Sequence, residues 1–194
     1  MQATTNAVAT DQTFLAMVEK KGPFSVSTCF QCRKCTNGCP ATFAMDYYPD
    51  EIIRFVMMGL SKKALSSKTI WVCASCETCT TRCPNEVKIA ELMDCLKEMS
   101  IQQGIKPGDR TIRIFHETFL KNIKGRGRVF EGKLLPEFML KSTAGLARLK
   151  GGGIVSDIKT GFKMMMKGRI KMRPPKVIHG STEVDKILAE REER

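Results

Sequence analysis

The stretch CFQCRKCTNGCP, residues 29–40, sets four cysteines and a proline within twelve positions. Residues 73–84 repeat the arrangement as CASCETCTTRCP. Both spell C-x2-C-x2-C-x3-C-P, and their first cysteines lie 44 positions apart. The fillers differ: Phe30, Gln31, Arg33 and Lys34 stand opposite Ala74, Ser75, Glu77 and Thr78. A spacing repeated on unlike fillers marks ligands and not a packing surface.

What the ligands hold follows from the spacing. Zinc sites use two pairs of ligands well separated in sequence. Disulfide frameworks belong to oxidising compartments, and MQATTNAVATDQ lacks the basic start and apolar run of a secretory signal. Three cysteines within seven residues, then a fourth followed by proline, match the bacterial ferredoxin run that binds [4Fe–4S] clusters. Two such runs predict two [4Fe–4S] clusters. In two-cluster ferredoxins the fourth cysteine of a run ligates the other cluster. That pattern assigns Cys29, Cys32, Cys35 and Cys83 to one cluster, and Cys73, Cys76, Cys79 and Cys39 to the second. Crossing over ties the halves together, so cluster binding and folding are one event.

The remaining sequence narrows the class. Of 194 residues, 42% are hydrophobic and 27% charged, as in an ordinary globular protein. The longest nearly apolar stretch, Ile52 to Leu60, is interrupted by Arg54 and falls far short of the ~20 residues a membrane span needs. A cytoplasmic protein without a membrane span is expected. Residues 1–100 hold 11 basic and 10 acidic residues, whereas 101–194 hold 21 and 10, so nearly all of the +12 net charge is C-terminal. A basic chain could bind nucleic acid, but no recognised motif or basic–aromatic interleaving supports that, and no nucleic-acid partner is expected.

Helical periodicity accounts for most of the chain. Phe14, Leu15 and Val18 share a face within 11–21, with Thr10 or Asp11 as cap and Gly22–Pro23 as stop. Pro49–Asp50–Glu51 opens a helix whose stripe is Ile52, Ile53, Val56, Met57 and Leu60. Leu92, Met93, Leu96 and Met99 form another, stopping at Gly104. Further stripes lie at Ile112, Phe115, Phe119 and Ile123, and at Ile158, Phe162 and Met166. Gly151–Gly152–Gly153 and Pro174–Pro175 read as breaks, and 181–193 as a short charged helix. No strand alternation is sustained. The expected fold is all-α: an N-terminal helix within 1–23, a helical two-cluster ferredoxin domain at 24–104, and a basic, largely helical extension at 105–194 for subunit docking.

Other candidates carry little. Cys95 is expected to pack as a small buried hydrophobe, because two cubanes need no ninth thiolate. Met164–Met165–Met166 suits a core or a subunit interface. His116 and His179 stand alone, and GRG at 125–127 and GGG at 151–153 lack the strand–helix context of a dinucleotide site. No catalytic residue is predicted.

Two runs joined by an amphipathic helix and closing with CPNEVKIAELMDCL resemble the helical ferredoxin subunits of multi-subunit oxidoreductases, most closely the C-type subunit of soluble heterodisulfide reductase. The resemblance is strongest over 24–104 and weaker through MMMKGRIKMRPPKVIHG. It implies an electron-transfer subunit, not catalytic alone. Electrons would pass from an A-type subunit with flavin and clusters to a B-type subunit with a Cys-Cys site that reduces the heterodisulfide of coenzymes M and B. A larger assembly with hydrogenase or formate dehydrogenase fits the same family. Similar subunits serve other acceptors outside methanogenesis. Residues 1–28 lack the cysteines of succinate dehydrogenase iron–sulfur subunits, and no Cys-Cys pair occurs.

Overall fold

The computed structural model describes residues 11–142, 154–169 and 174–192, and every regular element among them is a helix. The expected all-α class is what the chain adopts. Two compact units divide at Asp109 and Arg110.

The first unit carries seven α-helices: α1 (Thr13–Lys21), α2 (Lys34–Asn37), α3 (Pro49–Met57), α4 (Ser61–Ser66), α5 (Lys68–Val72), α6 (Thr78–Thr81) and α7 (Ile89–Gln102). Asp11 starts α1, its Oδ1 accepting from Thr13 N at 3.0 Å and Thr13 Oγ1 at 2.6 Å. Thr10, the alternative cap, lies outside the described residues. Pro49 opens α3, where its missing N–H costs nothing, and Glu51 Oε2 accepts from Tyr48 N at 2.8 Å. The anticipated stripes converge. Phe14, Val18, Ile52, Ile53, Val56, Leu92 and Leu96 are fully buried, each contributing about 1.5–3 kcal/mol of transfer free energy. Leu15 and Met57 sit at the edge, half-buried. α7 is the hub, touching α1, α4, α5 and α6.

Gly59 ends the α3 turn at φ +69°, where a Cβ would lie 2.3 Å from Asp11 O. Its own carbonyl accepts from Asp11 N at 2.8 Å, which closes the N-terminal segment onto α3. α4 and α5 fill the link between the cysteine runs. Neither is signalled by periodicity, being six and five residues long.

The second unit contains α8 (Arg110–Ile123), α9 (Glu131–Lys141), α10 (Ile154–Met166) and α11 (Ser181–Glu192). The Phe115 ring meets Phe138 edge-on at 5.4 Å and Phe119 at 5.9 Å, joining α8 to α9. Asn122 clamps the turn: its Nδ2 donates to Phe130 O at 3.2 Å and its Oδ1 accepts from Phe130 N at 2.7 Å. The buried residues of α8 are Thr118 and Asn122, while Ile112, Phe119 and Ile123 stay half-buried and Phe115 is exposed. The helix is where periodicity puts it, yet its deepest face is the polar flank of the stripe, because the Asn122 clamp draws that flank inward. α9 carries Pro136 inside it and has no counterpart among the stripes named above. Phe162, Met164, Met165 and Met166 are all exposed on α10, so the methionine run is not core of this unit. Gly151–Gly152–Gly153, Glu193 and the side chain of Ile158 lie outside the described residues; Pro174–Pro175 form no helix.

Candidate iron–sulfur site

The two cysteine runs fold alike, residue for residue. In the first, Gln31 and Arg33 take left-handed backbone at φ 56° and 61°; in the second, Ser75 and Glu77 do so at 49° and 59°. Each pair is followed by a single helical turn, α2 or α6. Non-glycine residues at positive φ cost of order 1–3 kcal/mol each. Left-handed residues alternating along a loop are a feature of the backbone nests that form anion and iron–sulfur sites. Gln31 N accordingly lies 3.4 Å from Cys29 Sγ, with Gln31 Nε2 at 3.5 Å.

A threonine follows the third cysteine in both runs, a match that cysteine spacing alone overlooks. Thr36 Oγ1 donates to Asp50 Oδ1 and accepts from Asp50 N at 3.3 Å. Its counterpart Thr80 Oγ1 accepts from Ala90 N at 3.3 Å. Each threonine fastens its run to the first turn of the following long helix, α3 or α7. Asp50 is buried and also pairs with Arg33 Nε at 3.4 Å.

Two recesses result. The first is lined by Cys29, Cys32, Cys35 and Cys83, together with Pro84. The second is lined by Cys39, Cys73, Cys76 and Cys79, together with Pro40. Each thus gathers three cysteines of one run and the fourth of the other. The walls differ: Gln31, Arg33, Lys34, Asp50 and Asn85 edge the first, whereas Ala41, Met45, Pro49, Ala90 and Met93 make the second mostly apolar.

Thiol electrostatics follow the same internal repeat. Burial pushes Cys35 and its counterpart Cys79 up to about 11, and raises Cys29 and Cys73 as well. Cys76 is exposed, and the hydroxyl of Thr78, 3.5 Å away, lowers its pKa. Buried thiols of this kind are neutral at pH 7 and release protons when they become metal ligands.

The donor set suits a multinuclear cluster. All nine cysteines are free thiols. Among the described residues no three Cys, His, Asp or Glu side chains converge closely enough to hold a single metal ion. Four cysteines lining one recess, with no three ligand side chains meeting at a point, suit a cubane better than one zinc ion, which needs all four within about 2.3 Å. Cys95, on the far side of α7, lines neither recess and is buried, as is Trp71 just before the second run. His116 and His179 line neither recess. Among the described residues no helix is long and apolar enough to cross a membrane.

Comparison with known proteins agrees with this geometry. Residues 25–87 match the 4Fe-4S dicluster domain family. The chain binds two [4Fe–4S] clusters. A relative from Methanocaldococcus jannaschii, the iron-sulfur C 2 subunit of CoB–CoM heterodisulfide reductase, is 39% identical over 80 residues, 41% of this chain and 42% of its own. The C subunit of the H2:CoB-CoM heterodisulfide, ferredoxin reductase of Methanothermobacter marburgensis is 31% identical over 106 residues, 54% and 57% of the two chains. The C2 subunit of the H2/formate:CoB-CoM heterodisulfide, ferredoxin reductase of Methanococcus maripaludis is 35% identical over 80 residues, 41% and 43%. The chain spans about half the length of the curated relatives it matches. Over that half it resembles the C-type subunit of heterodisulfide reductase.

Proposed function

We propose that this chain is the electron-transfer subunit of a disulfide-reducing complex. Cys29, Cys32, Cys35 and Cys83 hold one [4Fe–4S] cluster, and Cys73, Cys76, Cys79 and Cys39 hold the other. When bound, the clusters supply one-electron redox chemistry; the chain fixes their separation. The observation that carries this reading is the mixed make-up of the two recesses, three cysteines of one run plus the fourth of the other.

Electrons enter from an A-type subunit bearing flavin and clusters and leave to a B-type subunit with a Cys-Cys site that reduces the heterodisulfide of coenzymes M and B. The relatives' names support that substrate and a link to hydrogen or formate oxidation. Residues 105–194 form the docking extension. Its exposed Phe162 and Met164–Met166 offer an adaptable apolar face, and its excess of basic residues suits an acidic partner. The working compartment is the cytoplasm.

A disulfide takes two electrons, and each cluster passes one. The eight run cysteines close both clusters, leaving no open iron for substrate, so the isolated chain has no reductase activity. The test is anaerobic: loaded protein mixed with reduced viologen accepts electrons but produces no thiol until the Cys-Cys subunit is added. Sustained thiol production by the chain alone overturns the proposal. Removing residues 151–194 releases the chain from its complex with both clusters still reducible; unchanged co-purification refutes the docking role.

A further inference from the structure

The internal repeat places the same backbone around both recesses but does not place the same charges. In the first run the two residues after Cys32 are Arg33 and Lys34, and both line the recess. The equivalent residues of the second run are Glu77 and Thr78. The loop cations of the first site are therefore missing from the second, whose walls are also the more apolar. On the following helices, Asp50 corresponds to Ala90 through their threonine partners Thr36 and Thr80. Seven residues on, Met57 of α3 corresponds to Lys97 of α7. Met57 takes a contact from Gln31 Nε2 at 3.4 Å. Lys97 donates to Cys73 O at 3.0 Å. The first site thus carries its cations in the loop and an apolar residue on the helix, and the second reverses this.

Lys97 is well placed to act through space. Its side chain is 12% exposed, while its ion-pair partner Asp94, at 2.8 Å, is 54% exposed. The carboxylate is exposed to water and the ammonium is largely not, so the charge of Lys97 is the less screened of the two. Adding an electron to a cluster adds negative charge, which apolar walls disfavour and a buried cation favours.

We infer that Lys97 is the counter-ion of the second cluster, doing from α7 what Arg33 and Lys34 do from the first loop, and that it holds that cluster's reduction potential up. The inference rests on the ligand assignment above. When bound, each cluster would take up or give one electron with no proton moved, and Lys97 would favour the reduced form of the second.

The experiment is an anaerobic redox titration of the loaded full-length chain, followed by EPR. Lys97→Met, which installs the residue of the equivalent α3 position, lowers one midpoint by about tenfold in its reduction equilibrium, ~59 mV for one electron, and leaves the other in place. Lys97→Arg keeps the charge and the midpoint. Adding Glu77→Arg to Lys97→Met returns the cation to the loop and restores the midpoint. Unmoved midpoints in Lys97→Met, or an equal drop in Lys97→Arg, overturn the inference. Should Lys97→Met fail to hold its second cluster by iron content, Lys97→Gln, which can still donate to Cys73 O, is titrated in its place with the same expected drop. Loss of the cluster in both variants overturns the inference, since Lys97 would then serve assembly. Cys39→Ala, read by which cluster disappears, tests the ligand assignment separately.

Discussion

Asp46 sits between the two cysteine runs, and replacing it with alanine isolates how the second site is positioned. Its Oδ2 accepts from Lys68 N at 2.8 Å, and its Oδ1 from Thr69 N at 2.9 Å and Thr69 Oγ1 at 2.8 Å. Lys68 and Thr69 are the first residues of α5, so a carboxylate 22 residues upstream caps the helix that ends at Cys73. Removing a cap of this kind costs about 0.5–2 kcal/mol. The carboxylate is only partly buried, which places Asp46→Ala near 1 kcal/mol, and Asp46→Asn below that because a neutral acceptor remains. Since ~1.4 kcal/mol is tenfold in an equilibrium, local opening of α5 rises roughly fivefold.

The assay is chelator-driven cluster loss, followed by visible absorbance and cluster-resolved EPR under anaerobic conditions. Asp46→Ala is expected to lose the cluster bound by Cys73 about fivefold faster and the other at an unchanged rate. The pH dependence is fixed by sign. Burial opposes ionisation of Asp46, but the hydrogen bonds from Lys68 and Thr69 outweigh it and lower the folded pKa. A lowered carboxylate pKa gives stability that is fully present above the unfolded value near ~3.9 and is lost only as pH falls through the folded one. The gap between wild type and Asp46→Ala is therefore flat from about pH 5 to 8. Equal acceleration of both clusters, or a gap that titrates within that window, refutes the reasoning.

Cys39→Ala removes the cluster shared with Cys73, Cys76 and Cys79, and EPR showing loss at the Cys29 site instead contradicts the crossed assignment. Thr36→Val leaves the buried Asp50 carboxylate without its hydroxyl donor and costs about 2–3 kcal/mol, whereas Thr80→Val forfeits one bond to Ala90 N and costs about 1; urea unfolding midpoints rank the two. Cys95→Ala keeps about eight irons per chain, and the buried Cys95 thiol, its pKa raised by desolvation, resists alkylation in the native protein.

The cysteine runs and the stripes of α1, α3 and α7 were legible because spacing and periodicity write ligand sites and buried faces directly into sequence. Phe14 and Val18, or Ile52, Ile53 and Val56, recur at helical intervals and are buried together. The left-handed residues were not legible: Gln31, Arg33, Ser75 and Glu77 are not types that announce positive φ. Nor was α5, five residues whose start is set by a carboxylate distant in sequence. Asp50 was legible as an acid in the first turn of α3, but its burial and its bonds to Thr36 and Arg33 were not, and nothing in the spacing marks Lys97 as nearly buried.

One residue joins the two sites. Ile89, the first of α7, is buried and lines both recesses. Ile89 is therefore an apolar wall residue common to both, anchored to the helix that Thr80 fastens to the second run. Recesses that share a wall residue make neighbours of the two paramagnetic reduced clusters. The EPR spectrum of the fully reduced chain is expected to differ from the sum of the two singly reduced spectra. Ile89→Ala opens a cavity and costs about 2–5 kcal/mol, yet it removes no ligand and moves neither run, so the interaction signal persists in a less stable protein. Ile89→Ala thus separates packing from wiring: its unfolding midpoint falls while the spectral interaction stays. A fully reduced spectrum that is the plain sum of its parts would show that the recesses are insulated, and that Ile89 is core and nothing more.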